Sequence, residues 1–255
     1  MAGHSHWAKV RHQKGVTDAR KGKLFSKLVR EIALAAKLGG GDPAFNPRLR
    51  RAVETAKAEG VSSESISRAI QRGTGEVAGE AYEEILYEGY APGGVAVLVE
   101  AATDNRNRTA AEVRSLFARH GGHLAGAGSV SWLFHRKGII RVDAGKASFD
   151  RVFEVALEAL ADDVQPSEGS IEILSAPDRL EGIVKSLEAA AIPVESAALA
   201  YVPQNVVSLK EEESARALLR LLDALEEHDD VQHVFANFEM TPEMMSQVEA
   251  AVAGR

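Results

Sequence analysis

The chain has 255 residues, a hydrophobic fraction of 45%, a formal net charge of −7 and no cysteine. This length and composition suit two or three globular domains, and no apolar run approaches the roughly 20 residues that span a bilayer, which argues against disorder and a transmembrane helix. Without cysteine there are no disulfides, thiolate nucleophiles, zinc fingers or iron–sulfur ligands, which suits a reducing cytoplasm.

The net charge averages two unlike ends. Residues 1–72 hold 15 of the 30 Lys and Arg but 6 of the 37 Asp and Glu. That segment therefore carries +9 and the remainder −16. Partners meet the local field, and a basic surface facing phosphates gains affinity by releasing counterions. The N-terminus is charged and histidine-rich without the apolar core of a signal peptide, so a cytoplasmic location is expected.

Residues 1–16 show no sustained periodicity and read as an extended arm carrying Lys9, Arg11 and Lys14 among His4, His6 and His12. Trp7 is either a stacking platform for bases or an anchor that tucks the arm onto its own protein. No carboxylate is spaced to complete a metal site from the histidines, so no metal is expected. A first helix runs from Thr17 or Asp18 to the glycines at 39–41. It places Leu24, Phe25, Leu28, Val29, Ile32 and Ala36 on one side and Lys23, Lys27, Arg30 and Lys37 on the other, a cationic stripe with few acidic partners. Gly39–Pro43 lacks the lysine and preceding strand of a phosphate loop and reads as a helix stop.

A second helix, Asn46 to Ala58, adds Arg48, Arg50 and Arg51, and a third begins after Ser62 or Ser63 and stops at Gly73. Together they make a three-helix bundle. Residues 73–81 read as a linker. Strands follow at Tyr82–Gly89 and Gly94–Ala102, joined as a hairpin, and then a helix to Arg119 with Thr109 and Glu112 spaced as a capping box. Arg106 and Arg108 flank its N-terminus and form a secondary anion site, or else pair with acidic neighbours. A strand at Ser129–Phe134 is expected to put Trp132 and Phe134 on one face.

From Gly138 to Pro203 the order is βαββαβ, a complete ferredoxin-like unit. The helix at Lys210–Glu227 and the strand at Val231–Phe238 have no place in that unit and complete the sheet begun at Tyr82. The fold class is therefore α+β in three domains, an N-terminal three-helix bundle followed by two α/β, ferredoxin-like domains with the third inserted in the second. The expected boundaries are 1–76 for the arm and bundle, 77–136 with 204–240 for the central domain, 137–203 for the insertion, and 241–255 for a tail containing a short helix.

MAGHSHWAKV, KGKLFSKLVREI, GGGDP with NPRLR, ISRAIQRGTGE, YEGYAPGGVAVLVE, TDNRNRTAAEVR and GSVSWLFHRKG occur in register along the first 138 residues. In this series the chain resembles the YebC/PmpR family. The resemblance implies three domains and a cytoplasmic regulator, described as a DNA-binding transcriptional regulator. Other members act in translation on the ribosome, at proline-containing stretches. It also places His4 and Trp7 of the arm, Lys23, Lys27 and Arg30 of the basic helix, and Arg48 and Arg50 on the surface for nucleic acid. The family has a lysine where this chain has His6, so a permanent charge becomes pH-dependent.

The leading expectation is a non-enzymatic DNA-binding regulator with no cofactor. The alternative is a translation factor binding ribosomal RNA or tRNA and relieving stalling at proline-rich stretches. No Ser–His pair in a recognisable setting or nucleotide fingerprint supports catalysis, although Asp104 near Arg106 invites the thought. Expected partners are DNA or ribosomal RNA, the ribosome, or a basic protein meeting the acidic domains; no membrane is expected, and the chain is a monomer or weak oligomer.

Overall fold

The computed structural model describes residues 18–77, 81–167, 169–241, 243–245 and 248. The chain divides into two compact units, residues 1–133 with 205–255, and residues 134–204. None of the helices among the described residues is long and apolar enough to cross a membrane.

The first unit begins with three helices, α1 (Asp18–Gly39), α2 (Pro47–Ala58) and α3 (Ser63–Thr74). Asn46 joins two of them. Its side-chain amide donates to the carbonyls of Ala35 (2.8 Å) and Gly40 (2.9 Å) at the end of α1, while its oxygen accepts from Leu49 N (3.0 Å) to cap α2. Ser62 caps α3 through Ser65 N, and left-handed Gly75 ends it. Gly73, expected as the stop, lies inside α3. A Cβ there would come 2.2 Å from the carbonyl oxygen of Ala33, so the glycine is required by the close approach of α3 to α1. In α1 the continuous run Ile32–Ala36 is buried, which a helix coated on one side cannot achieve. The bundle covers one side of α1, and the strands Val95–Thr103 and Val231–Ala236 meet it as well.

The same unit holds a four-stranded antiparallel sheet. β1 (Glu83–Ala91) and β2 (Val95–Thr103) form the hairpin through a 3-10 turn at Pro92–Gly94, α4 (Arg106–Arg119) follows, and β3 (His123–Leu124) pairs along β1. After the second unit the chain returns with β8 (Val207–Ser208), α7 (Glu212–Glu226), β9 (Val231–Ala236) and β10 (Phe238–Glu239). β9 pairs with β2, giving the order β3-β1-β2-β9, so the sheet is completed from the C-terminal side of the insertion. Its core joins Val97 and Val99 to Val113 and Phe117 of α4 and Leu218, Leu222 and Leu225 of α7. Of the terminal helix expected from Thr241 to Val252, residues 243–245 and 248 are helical, with Met245 and Val248 buried; Thr241 is not helical, and the remaining positions lie outside the described residues.

Two local expectations change. Asn105 caps α4 by accepting from Arg108 N (3.1 Å); Thr109 is instead one turn inside the helix and buried. Residues Ser131–Leu133 form a 3-10 turn and not a strand, leaving Trp132 65% exposed and Phe134 5% exposed. The carboxylate of Glu88, itself buried, accepts from the backbone amides of Gly128 (2.6 Å), Val130 (2.7 Å) and Ser131 (2.8 Å), which bends this segment away from extended geometry.

The second unit consists of β4 (Phe134–Asp143), α5 (Phe149–Glu158), β5 (Asp163–Ser167), β6 (Ser170–Ser175), α6 (Leu180–Ala189) and β7 (Val194–Pro203). Its sheet order, β5-β6-β4-β7 with antiparallel neighbours, is the ferredoxin-like arrangement. Ile140, Val142, Ile171 and Ile173 meet Val152 of α5 and Ile183 and Leu187 of α6 in its core.

Replacing Gly73 with alanine should lower stability by about 1–3 kcal/mol through overpacking against α1, although alanine is the better helix former by about 1 kcal/mol. An unchanged urea midpoint would show that the two helices part without cost.

Candidate nucleic-acid interface

His4, Trp7, Lys9, Arg11 and Lys14 lie outside the described residues. For the rest of the expected surface the structure supplies partners. The cationic stripe of α1 lies along the end of α7, whose last carbonyls have no partner within their own helix. Lys27 Nζ donates to Glu226 O (2.5 Å), Lys23 Nζ to Glu227 O (3.1 Å), and Arg30 to Asp229 O. Cations at a helix C-terminus also complement its dipole.

Behind this contact sits Asp230, 2% exposed. One of its oxygens accepts from Arg108 (2.6 Å), Thr109 Oγ1 (2.7 Å) and Thr103 Oγ1 (3.3 Å), and the other lies 3.4 Å from Arg30. Burial alone would raise its pKa, but the hydrogen bonds from Thr109 and Arg108 and the charges of Arg30 and Arg108 hold it below the usual carboxylate range. The hub thus ties α1, β2, α4 and the start of β9 together. Tyr82 extends it, with the Arg72 guanidinium 4.1 Å above its ring and that of Arg30 at 5.9 Å. Arg72 also reaches Asp104 (3.5 Å).

Of the secondary pair, Arg108 is spent on Asp230 and Asp104 (3.3 Å), while Arg106 stays 70% exposed, 3.7 Å from Glu83. Arg48 forks onto Glu31 (2.8 and 3.2 Å) and reaches Glu84 (3.0 Å). Burial opposes its charge, but those two carboxylates outweigh burial and raise its pKa. Arg51 differs. Burial lowers its pKa, and the like charges of Arg50 and Arg48 lower it further against the counter-effect of Glu54. The arginines of α2 therefore crowd one another on a partly exposed surface.

Lys23, Arg30 and Arg108 line a cleft of about 440 Å³ with Glu112, Glu227, His228, Asp229 and Asp230. Glu112, His228 and Asp230 offer donor atoms within 4.8 Å of one another, which resembles a metal set. The donors are already engaged. His228 Nδ1 accepts from Asp230 N (3.1 Å), so its Nε2 carries the proton toward Glu112 (2.9 Å), and two guanidiniums surround Asp230. The arrangement is that of an ion-paired seam; a metal ion would have to displace the arginines.

A second feature, not evident in the sequence, centres on Ser129. Tyr90 Oη (3.2 Å) and Trp132 Nε1 (3.1 Å) both donate to Ser129 O, and the Tyr90 ring stacks on His123 at 5.5 Å. At the end of α4, burial lowers the His120 pKa, and the charges of Arg119 and Arg220 lower it further. The three rings and the Glu88 anchor come from segments separated in sequence, and only the cluster of small residues before Trp132 hinted at a turn.

A family model described as the TACO1/YebC protein N-terminal domain matches residues 5–76, and one described as the TACO1/YebC second and third domain matches residues 82–238. A probable transcriptional regulatory protein of Methylacidiphilum infernorum is 60% identical over 249 residues, covering 98% of this chain and 100% of the relative. A protein of the same description from Aquifex aeolicus is 52% identical over 248 residues, 97% of this chain and 100% of that one. A crystal structure of a conserved hypothetical protein from Aquifex aeolicus is 51% identical and superposes with a TM-score of 0.85, covering 92% of this chain and 97% of the other.

Because Asp230 and Glu88 are both held below the usual range, their stabilisation is complete above the unperturbed carboxylate pKa, about 4, and is lost as pH falls through their depressed native values. Asp230→Asn should cost on the order of 2 kcal/mol at neutral pH, between an exposed and a buried ion pair, and should flatten part of the acid limb. Thermal unfolding followed from neutral to acid pH tests this; an acid limb identical to that of the unmodified chain would remove Asp230 as a contributor.

Proposed function

The chain belongs to the TACO1/YebC family, and we propose that it is a cytoplasmic, non-enzymatic regulator of gene expression that binds DNA through its basic N-terminal end. The observation that carries this is the charge segregation, +9 within residues 1–72 on a chain of net −7. Arg50 and Arg51 beside Arg48 on α2 add to the positive field of this end, which favours a phosphate. The name shared by the Methylacidiphilum and Aquifex relatives, probable transcriptional regulatory protein, agrees with a regulatory role.

The proposed contact set is His4, Trp7, Lys9, Arg11 and Lys14 of the arm, Arg50 on α2, and Arg106 as a secondary anion contact. Lys23, Lys27, Arg30 and Arg48 are held by carbonyls and carboxylates of neighbouring elements, and their first task is to seat the helical bundle on the central sheet. They contribute to a polyanion through the field they add.

A second reading is favoured by one observation. Trp132, 65% exposed and held by its indole N–H, offers a fixed ring of the kind on which unpaired bases stack. In this reading the chain is a translation factor contacting ribosomal RNA or tRNA and relieving stalling at proline-rich stretches.

The test is binding of the full chain to a DNA duplex and to a structured RNA of equal charge across a salt series. Lys9→Glu, Arg11→Glu and Lys14→Glu together should weaken binding by about tenfold or more and reduce the duplex salt slope by roughly 2.7 for three phosphate contacts, with the far-ultraviolet circular dichroism unchanged. Undiminished affinity for both probes sinks the assignment to the arm. A preference for the RNA that Trp132→Ala abolishes selects the second reading.

A further inference from the structure

The second unit carries a surface that neither its own fold nor nucleic-acid binding uses. Val152, Val155 and Ala156 turn the inner side of α5 into its core. On the outer side Phe149, Phe153 and Leu157 follow one another at four-residue spacing, and Leu160 continues the line just past the helix end. They are 37%, 42%, 57% and 60% exposed, and the two phenylalanine rings stack at 5.9 Å. Scattered exposed apolar residues need no explanation, but a row of four large ones on one helix does.

Leu160 adds a separate observation. Its φ is +64°, the left-handed conformation that ends a helix, with Ala161 N donating to Ala156 O (2.9 Å) and Leu160 N to Leu157 O (3.0 Å). Glycine occupies such positions without strain. Here a strained backbone holds a leucine at the end of the apolar row.

Charge identifies what fits. Asp150, Glu154 and Glu158 are exposed and run at the same four-residue spacing beside the row, and Arg151, the only cation of the helix, is paired with Glu154 at 2.8 Å. A second copy of this face would bring carboxylate against carboxylate, and an anionic lipid surface or a nucleic acid would be repelled by the same rim. We infer that the outer face of α5 docks a cationic amphipathic helix of a partner protein, whose apolar side covers Phe149, Phe153, Leu157 and Leu160 and whose lysines or arginines meet Asp150, Glu154 and Glu158. The face is remote in sequence from the basic end and works independently of it.

The probe is a synthetic helical peptide of about 14 leucine and lysine residues, compared with one in which glutamate replaces each lysine. The full chain should bind the first with a dissociation constant on the order of 10 μM and not the second. Phe153→Ser with Leu157→Ser, and separately Glu154→Lys with Glu158→Lys, should each weaken binding by about tenfold or more. Leu160→Gly, which relieves the backbone, should keep the thermal midpoint and lose affinity. Nucleic-acid affinity should be unchanged in the Phe153/Leu157 and Leu160 variants, so the two assignments fail separately. Peptide binding indifferent to the Phe153/Leu157 and Glu154/Glu158 pairs overturns the inference. So does a dimer, seen by sedimentation, that Phe153→Ser with Leu157→Ser dissolves, or attachment of anionic vesicles lost in that variant.

Discussion

The buried carboxylate of Asp230 is the constraint on which the first unit turns. A lone charge in that position would be prohibitively costly, and it is tolerated because two arginines and two threonines converge on it from α1, α4 and β2. α1, the β2–α4 segment and Asp230 itself are far apart in sequence, so one group enforces their mutual register. The neighbouring carbonyls at residues 226, 227 and 229 extend the same logic to Lys27, Lys23 and Arg30. Part of the contrast between a basic beginning and an acidic remainder, at Arg30, Arg48 and Arg72, is used in holding the chain together.

This internal use changes how the basic end is understood. A cationic stripe facing solvent loses its attraction as salt rises, whereas the same cations locked against carbonyls and a buried carboxylate are screened far less. They act as a fixed platform that seats α1 and the helices packed on it. Glu88 plays a comparable part at the edge of the central sheet, where a buried anion satisfied by backbone amides holds the turn that displays Trp132. In both places a charge is buried to fix the geometry of something exposed.

Periodicity made the helices and the βαββαβ order legible, because the apolar spacing of α5, α6 and α7 repeats over several turns and strands of the second unit alternate with helices. The insertion was legible from a surplus helix and strand with no place in a complete unit. The partner of the Lys23–Lys27–Arg30 stripe was not, since a helical wheel gives the direction of a side chain and not what arrives there from two hundred residues away. Thr109 shows a subtler limit. Its spacing from Glu112 satisfies a capping pattern, yet Asn105 takes the cap and Thr109 is drawn inward by Asp230. Trp132 was placed on a strand by alternation, and only the unseen carboxylate of Glu88 explains why the backbone turns instead. Gly73 was read as punctuation when its missing Cβ makes room for a helix.

The position of the insertion also bears on how the molecule is made. β2 leaves the ribosome long before β9, its sheet partner, and at ordinary elongation rates the interval is roughly ten seconds. Through that interval the edge of β2 stays unpaired and α1 lacks the residues at 226–230 that seat it. The inserted unit, with all its strands contiguous, can close first. Until residues 226–230 are made, Lys23 and Lys27 lack the carbonyls that hold them in the finished fold.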